Sequence, residues 1–297
     1  MPGPRFRGRK EQNCWPEFPR RFTIVPVKDT SDGRLAGLFI TGTDTGVGKT
    51  LLTSLLLSHL RRRKVPTYAI KPFCSGSRAD AQLLHSLQGD ELTLDEINPF
   101  FFSEPLAPLV AARQLGHSIH LGGVLAHIRS IIRRLPQSKI QNPKSKILPP
   151  VLLIEGAGGL LVPLGPKFSI LDLIRELCCE VIVVSCNKLG TLNHTMLTVQ
   201  ALESKCPYLR QAQSAHGRQK AQRPKEAWSD GRASVKLVLM QQPRNDASAA
   251  SNPDMLSELL APVRLWKLPF FRGKLESPRA IQRIEKKIEK TLAQILV

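Results

Sequence analysis

The run Gly42-Thr-Asp-Thr-Gly-Val-Gly48-Lys49-Thr50 narrows the choice of fold more than any other part of the sequence. A short apolar stretch, Leu35 to Ile40, precedes it. A leucine-rich stretch, Leu51 to Leu60, follows and closes on Arg61-Arg62-Arg63-Lys64, where basic residues suit the last turn of a helix. Strand, glycine loop, then helix is the setting in which main-chain N–H groups and a helix start wrap a polyphosphate. In this reading Gly46, Val47 and Gly48 supply main-chain donors. Lys49 neutralises the β and γ oxygens, and the Thr50 hydroxyl holds Mg2+. Five residues separate Gly42 from Gly48, one more than the usual phosphate loop has. A glycine-rich turn without nucleotide is the plain alternative, and Gly-Lys-Thr in this context argues against it. ATP is the expected ligand.

The rest of the chain repeats the same alternation. Val65 to Phe73, Val151 to Glu155, Val181 to Cys186, Val235 to Met240 and Val263 to Leu268 read as strands. Ala79 to Gln88, His120 to Leu135, Ile170 to Leu177, Asn193 to Ser204 and Ile281 to Leu296 read as helices. Near-continuous Val/Ile/Leu strands between helices indicate an α/β fold: a single P-loop NTPase-like domain with a mostly parallel sheet and helices on both faces. The domain is expected over 35–297, after a disordered basic extension at 1–34. Loop insertions are expected at about 136–149 and 205–234, where polar residues cannot bury enough surface to offset their ordering.

Charge and cysteine usage exclude some roles. Of 297 residues, 42% are hydrophobic, which argues against wholesale disorder. The net charge of +19 invites nucleic acid as a partner. Much of the excess lies before Leu35, at Lys139 to Lys146 and from Lys205 to Arg232, and no nucleic-acid-binding motif accompanies it, so nucleic acid is not the expected partner. The most apolar stretch, Ile147 to Gly165, holds Glu155 and is broken by prolines and glycines, which rules it out as a membrane span. The six cysteines form no CxxC pair, and reduced thiols in a cytoplasmic protein are expected.

Four further segments carry chemistry. Lys71-Pro-Phe-Cys-Ser75-Gly-Ser ends a strand at the edge where doubly wound sheets place ligands, although a lone lysine there is ordinarily a solvated strand end. Asp80 suits a helix start. Glu155-Gly-Ala-Gly-Gly159 ends a buried strand, where a carboxylate without a role is costly. Thr50, Asp80 and Glu155 together offer hard oxygens to one Mg2+. Lys188-Leu-Gly190-Thr191-Leu-Asn193-His opens a helix whose N–H groups suit a carboxylate, with simple capping by Asn193 as the equal alternative. His194 is given no role.

These segments, with Asn98-Pro-Phe, Glu104-Pro and Pro108, resemble the dethiobiotin synthetase family in the same order, from about Leu38 to Phe270. The long phosphate loop resembles the wider deviant P-loop group. The resemblance implies ATP-dependent carboxylation of 7,8-diaminopelargonate with CO2, closing a cyclic urea, by a homodimer using Mg2+. Carried over, Lys49 and Lys71 are catalytic and Thr50, Asp80 and Glu155 bind the metal. Thr45, Lys71 and Ser75 meet the substrate, with Gly190, Thr191 and Asn193 holding its carboxylate from the neighbouring subunit. Pro269 joins the nucleotide site. Gln241-Gln242 stand where many members have an Asn contacting adenine, so ATP and CTP both stay open. A partitioning ATPase that binds DNA or a partner protein is the competing reading. Asp44 counts against it, because that branch carries a lysine early in the loop. An amide ligase of the cobyrinate type ranks third, since it needs a glutamine-hydrolysing domain.

Overall fold

The apolar runs become a parallel sheet because both of their faces are covered. The computed structural model describes residues 36–135, 150–209, 235–244, 246–273 and 275–296. The expected extension at 1–34, the insertion at 136–149 and all but the first residues of the one at 205–234 lie outside the described residues.

In chain order the elements are β1 (Ala36–Gly42), α1 (Lys49–Arg62), β2 (Thr67–Ile70), β3 (Phe73–Ser75), α2 (Ala79–Gln88), α3 (Leu94–Ile97), β4 (Phe100–Phe102), α4 (Pro108–Gln114) and α5 (Leu121–Arg134). They continue with β5 (Val151–Glu155), β6 (Pro163–Gly165), β7 (Phe168–Ser169), α6 (Ile170–Leu177), β8 (Glu180–Cys186), α7 (Thr191–Lys205) and β9 (Val235–Met240). The chain closes with α8 (Asn252–Leu259), β10 (Arg264–Leu268), α9 (Pro278–Lys287) and α10 (Glu289–Ile295).

Six strands form the main sheet in the order β10-β9-β8-β1-β5-β2, every pair parallel. β3 with β4 and β6 with β7 form two small separate sheets. From β1 the chain moves outward to β2, returns through β5, then crosses β1 to build β8, β9 and β10 on the other side. The order therefore reverses between β1 and β8, and a doubly wound sheet opens its ligand crevice at the carboxyl ends of such strands. β1, β5, β8 and β9 are buried along nearly their whole length. Helix α1 packs with α2, α9 and α10, while α5, α6 and α7 pack in sequence with one another, so the sheet carries a helical layer on each face.

The α/β class and most strand positions agree with the sequence reading, and three elements depart from it. The stretch Val65 to Phe73 is not one strand. Pro72 has no N–H to continue the ladder, and the Asn98 Nδ2 donates to the carbonyls of Lys71 (3.0 Å) and Pro72 (3.3 Å), turning the chain out of the sheet into β3. The terminal stretch Ile281 to Leu296 is not one helix. It breaks at Ile288 (φ −116°, ψ 19°), so that Ile281, Ile284, Leu292 and Ile295 are all buried while Glu285 and Glu289 reach the end of α1. Residues 205–209 belong to the fold: Lys205 ends α7, and a 3-10 turn over Pro207–Leu209 buries Leu209, with Cys206 buried just before it.

Candidate active site

The phosphate loop lies at the reversal point, between the ends of β1 and β8. The Thr43 N–H donates to the Val184 carbonyl (3.0 Å), and the Gly156 N–H donates to the Ile40 carbonyl (2.9 Å), pinning the loop between β5 and β8. Gly48 immediately precedes α1 at φ 101°, in the left-handed region, and a Cβ there would stand 2.9 Å from the Met240 Cε. Only glycine satisfies both limits. Gly159 backs against the loop so closely that a Cβ would lie 3.3 Å from the Thr43 carbonyl oxygen. The Glu155-Gly-Ala-Gly-Gly run thus forms the floor beneath the loop.

Val47 is buried among core side chains, so it offers a nucleotide its main chain alone. Gly46 is exposed at the loop tip with φ 73°. Lys49, 6% exposed, folds back to donate from Nζ to the Asp44 carbonyl at 2.8 Å. Burial pulls its pKa from 10.5 down to about 8; Glu155 opposes the shift, and Lys71 adds to it.

Beside the loop stands a second charged group. Lys71 follows β2, Asp80 lies in the first turn of α2, Glu155 ends β5 and Thr50 lies in the first turn of α1. The Lys71 Nζ donates to Asp80 Oδ2, to Glu155 Oε1 at 2.7 Å and to Thr50 Oγ1 at 3.2 Å. The Thr50 hydroxyl donates in turn to Glu155 Oε1 at 2.6 Å. Burial alone would lower Lys71, but the Glu155 and Asp80 carboxylates outweigh it and hold the ammonium above the usual lysine range. Burial would raise Asp80, and Lys71 overcomes that to hold it below the usual carboxylate range.

The donor set suits the Mg2+ that the sequence reading implies. Glu155 Oε2 is buried with no hydrogen-bond partner among the described residues. Two carboxylates and a hydroxyl are the hard oxygen ligands this ion takes. Among the described residues no group of three His, Cys, Asp or Glu is placed to hold a metal; the Thr50 hydroxyl is the oxygen that lies with the Asp80 and Glu155 carboxylates.

The remaining expected residues divide. The Ser75 Oγ is buried and unpartnered among the described residues, a hydroxyl with unused capacity. Thr45 is exposed on the loop, its N–H donating to Asp44 Oδ1 at 2.6 Å. Gly190, with φ 89°, immediately precedes α7, and Asn193 is exposed in its first turn. Thr191 is turned inward: its Oγ1 bonds Ser185 Oγ at 2.6 Å, and its N–H donates to the Lys188 carbonyl at 3.1 Å. Pro269 is exposed directly after β10. Lys49, Thr50, Lys71, Asp80 and Glu155 converge, whereas no hydrogen bond joins the start of α7 or Pro269 to them.

Sequence reasoning missed a set of amides at the ends of β8 and β9: Asn187, Asn252 and the acid Asp246, bonded to one another's loops and to Gln241. Asn187 lies directly before Lys188, in a segment already singled out, and its position next to a strand end was the available signal.

A family model described as an AAA domain matches residues 36–212. The ATP-dependent dethiobiotin synthetase BioD of Bacillus licheniformis is 38% identical over 171 residues, covering 56% of this chain and 67% of that protein. The protein of the same name from an Anaeromyxobacter species is 39% identical over 175 residues, covering 58% of this chain and 72% of that protein. Among solved structures, the MinD cell division protein of Aquifex aeolicus aligns with a TM-score of 0.47 at 12% identity, covering 88% of this chain and 94% of that chain, a likeness too slight to argue from.

Proposed function

The chain belongs to the dethiobiotin synthetase family, ATP-dependent ligases of biotin synthesis, and from that premise we propose how its own residues divide the reaction. The observation that carries the reading is the convergence of Lys71, Thr50, Asp80 and Glu155 beside the Lys49 loop.

One amine of 7,8-diaminopelargonate captures CO2 as a carbamate. The γ-phosphoryl group of ATP passes to a carbamate oxygen, giving a carbamic–phosphoric anhydride and ADP. The second amine attacks that carbonyl carbon, closes a five-membered urea and expels phosphate. Both amines sit on one bound molecule, so ring closure gains the proximity advantage of an intramolecular reaction. The chain's part is positioning and charge. Gly46, Val47 and Gly48 hold the phosphates through main-chain N–H groups. Lys49 and Lys71 offset the charge that spreads over the transferred group. The Ser75 hydroxyl donates to the carbamate, and Thr45 borders the same space from the loop tip. Mg2+ held by Thr50, Asp80 and Glu155 supplies neutralising charge at the phosphates.

Gly190 and Asn193 hold the substrate carboxylate across a homodimer interface. Leu189, 79% exposed, and Leu197, 57% exposed, support such an interface beside the same helix start, and sedimentation of the full chain tests it. Free thiols at Cys74, Cys179 and Cys206, all buried, support a reducing, cytoplasmic setting. Among the described residues no helix is long and apolar enough to cross a membrane.

The test is phosphate release from Mg-ATP with bicarbonate, with and without 7,8-diaminopelargonate, and mass detection of dethiobiotin. Release that requires the diamine and yields the urea supports the reading. Hydrolysis indifferent to the diamine, with no urea formed, overturns it.

A further inference from the structure

Arg78 stands between Ser75 and Asp80 in the chain, and nothing in the proposed reaction uses it. It directly precedes α2, and its side chain reaches the residue that follows α3. The guanidinium takes both oxygens of that one residue: Nε donates to Asn98 Oδ1 at 3.0 Å, and Nη2 donates to the Asn98 carbonyl at 2.8 Å. Nη2 also meets Asp95 Oδ1 at 2.6 Å, and the group lies 5.4 Å from the centre of the Phe101 ring. Asn98 itself is fully buried.

An arginine only donates and a carbonyl oxygen only accepts, so the Asn98 amide is oriented from both ends. Its Oδ1 faces Arg78, and its Nδ2 faces the carbonyls of Lys71 (3.0 Å) and Pro72 (3.3 Å). The Lys71 N–H donates to the Ile97 carbonyl at 2.9 Å, so both main-chain groups of this lysine are held by residues 97 and 98. The same loop leads into β4. There the Phe100 N–H donates to the Pro72 carbonyl at 3.0 Å, and β3 pairs Ser75 with Phe102. Lys71 and Ser75, the two side chains assigned to the carbamate, thus take their main-chain position from the segment that Arg78 holds.

The tip of Lys71 returns to the same place, because its Nζ is held by Asp80, two residues after Arg78. The start of α2 therefore fixes the lysine at its base, through Asn98, and at its ammonium. An apolar side chain would serve to fill space here. Instead the buried amide is matched donor to acceptor on both sides, and an unmatched one is costly. The ion pair with Asp95 is not part of this link: the Asp95 side chain is 86% exposed, and exposed pairs contribute little.

We propose that Arg78 is a positioning residue of the ligation, acting through Asn98 to set the main-chain position of Lys71 and Ser75 against the carbamate. This rests on the reaction proposed above and adds a residue to its substrate side. The guanidinium contacts run to Asp95, Asn98 and Phe101 rather than to the phosphate loop, so nucleotide affinity is independent of them. A displacement of about 1 Å between oriented reacting groups costs up to about 100-fold in rate, so even a partial loosening is measurable.

The experiment measures urea formation by the full chain with Mg-ATP and bicarbonate over a range of 7,8-diaminopelargonate, beside a titration of ATP binding. Arg78→Ala should raise KM for the diamine by about tenfold, with ATP affinity unchanged. Arg78→Lys keeps the charge near Asp95 but loses the two-pronged fork, and should move KM in the same direction. Asp95→Ala should match the parent. A merely structural role would shrink the folded fraction, which lowers the apparent kcat and leaves KM where it was. Arg78→Ala decides where it folds, and Arg78→Lys where it does not. An unchanged diamine KM in the deciding variant, or an equal rise in Asp95→Ala, overturns the positioning role while urea formation by the parent leaves the reaction standing. A parent chain that forms no urea overturns the reaction, and the role of Arg78 with it.

Discussion

Nucleotide binding should draw a proton from solution at mildly alkaline pH, because Lys49 is held near a pKa of 8 in the free protein. Burial is the main cause, and a bound polyphosphate reverses it by favouring the charged form. At pH 8.5 a group titrating at about 8 is about three-quarters neutral, so complex formation takes up roughly 0.7 proton; at pH 6.5 the lysine is already charged and uptake vanishes. Lys71, held high by its carboxylates, does not titrate in this window. Calorimetric titration of ATP in two buffers of different ionisation enthalpy reads the number of protons directly. The same shift bears on stability. From 10.5 to about 8, at about 1.4 kcal/mol per unit, the buried charge costs roughly 3 kcal/mol at neutral pH. Between pH 8 and 10.5 the unfolded chain binds more protons at this residue, so its contribution to stability rises with pH; below pH 8 the full cost applies. Lys49→Met should therefore raise the unfolding midpoint at pH 7, with the gain shrinking toward pH 10.5. Zero proton uptake at pH 8.5, or a Lys49→Met variant less stable than the parent at pH 7, would refute the reasoning.

Lys71→Ala should cut urea formation by a factor of about 100 or more while moving ATP affinity only slightly, since it removes charge at the transferred group and not at the loop; steady-state rates and nucleotide titration together check this. Ser75→Ala should leave the denaturation midpoint unchanged, because its hydroxyl has no partner among the described residues to lose, yet raise KM for the diamine. Glu285→Ala should destabilise by about 1–3 kcal/mol, read by urea unfolding. Glu285 is fully buried against His59 Nδ1 at 2.7 Å and Arg62 Nε at 2.9 Å; the truncation leaves the buried His59 ring without this partner and Arg62 with Glu289 alone.

The residues that were legible in the sequence are those whose chemistry is local. Gly42 to Thr50 carries its own strand, turn and helix start, and Glu155 stands out as a carboxylate closing an apolar run. Lys71 was legible as a strand end, but the break at Pro72 depends on Asn98, which lies in a loop far along the chain. Glu285 gave no signal either. It sits among the charged residues of the terminal stretch Ile281 to Leu296, and only its meeting with His59 and Arg62 of α1 makes it a core residue. The amides of Asn187 and Asn252 were hidden for the same reason, since their partners are main-chain carbonyls at Ala249 and Lys188. Thr191 was legible as a helix start, but its hydroxyl contact with Ser185 depends on the packing of β8 against α7 and carried no local signal.

The two lysines of the site are pushed in opposite directions, and the cause is how their donors are spent. Lys49 lends Nζ to one carbonyl and is otherwise desolvated, so an arriving phosphate improves its surroundings. An ammonium has three hydrogens, and Lys71 has committed all three, to Thr50, Asp80 and Glu155. It can meet a substrate anion only by releasing one of them. Glu155 is the costly partner to leave, because its side chain is fully buried and would be stranded as a charge in the interior. Asp80 is the cheaper one: its side chain is 48% exposed and water can take over the carboxylate. On the proposed reaction, Lys71 should therefore pivot on Glu155 and exchange Asp80 for the substrate, and Asp80→Asn, which weakens the resting pair, should lower KM for the diamine if the exchange limits binding.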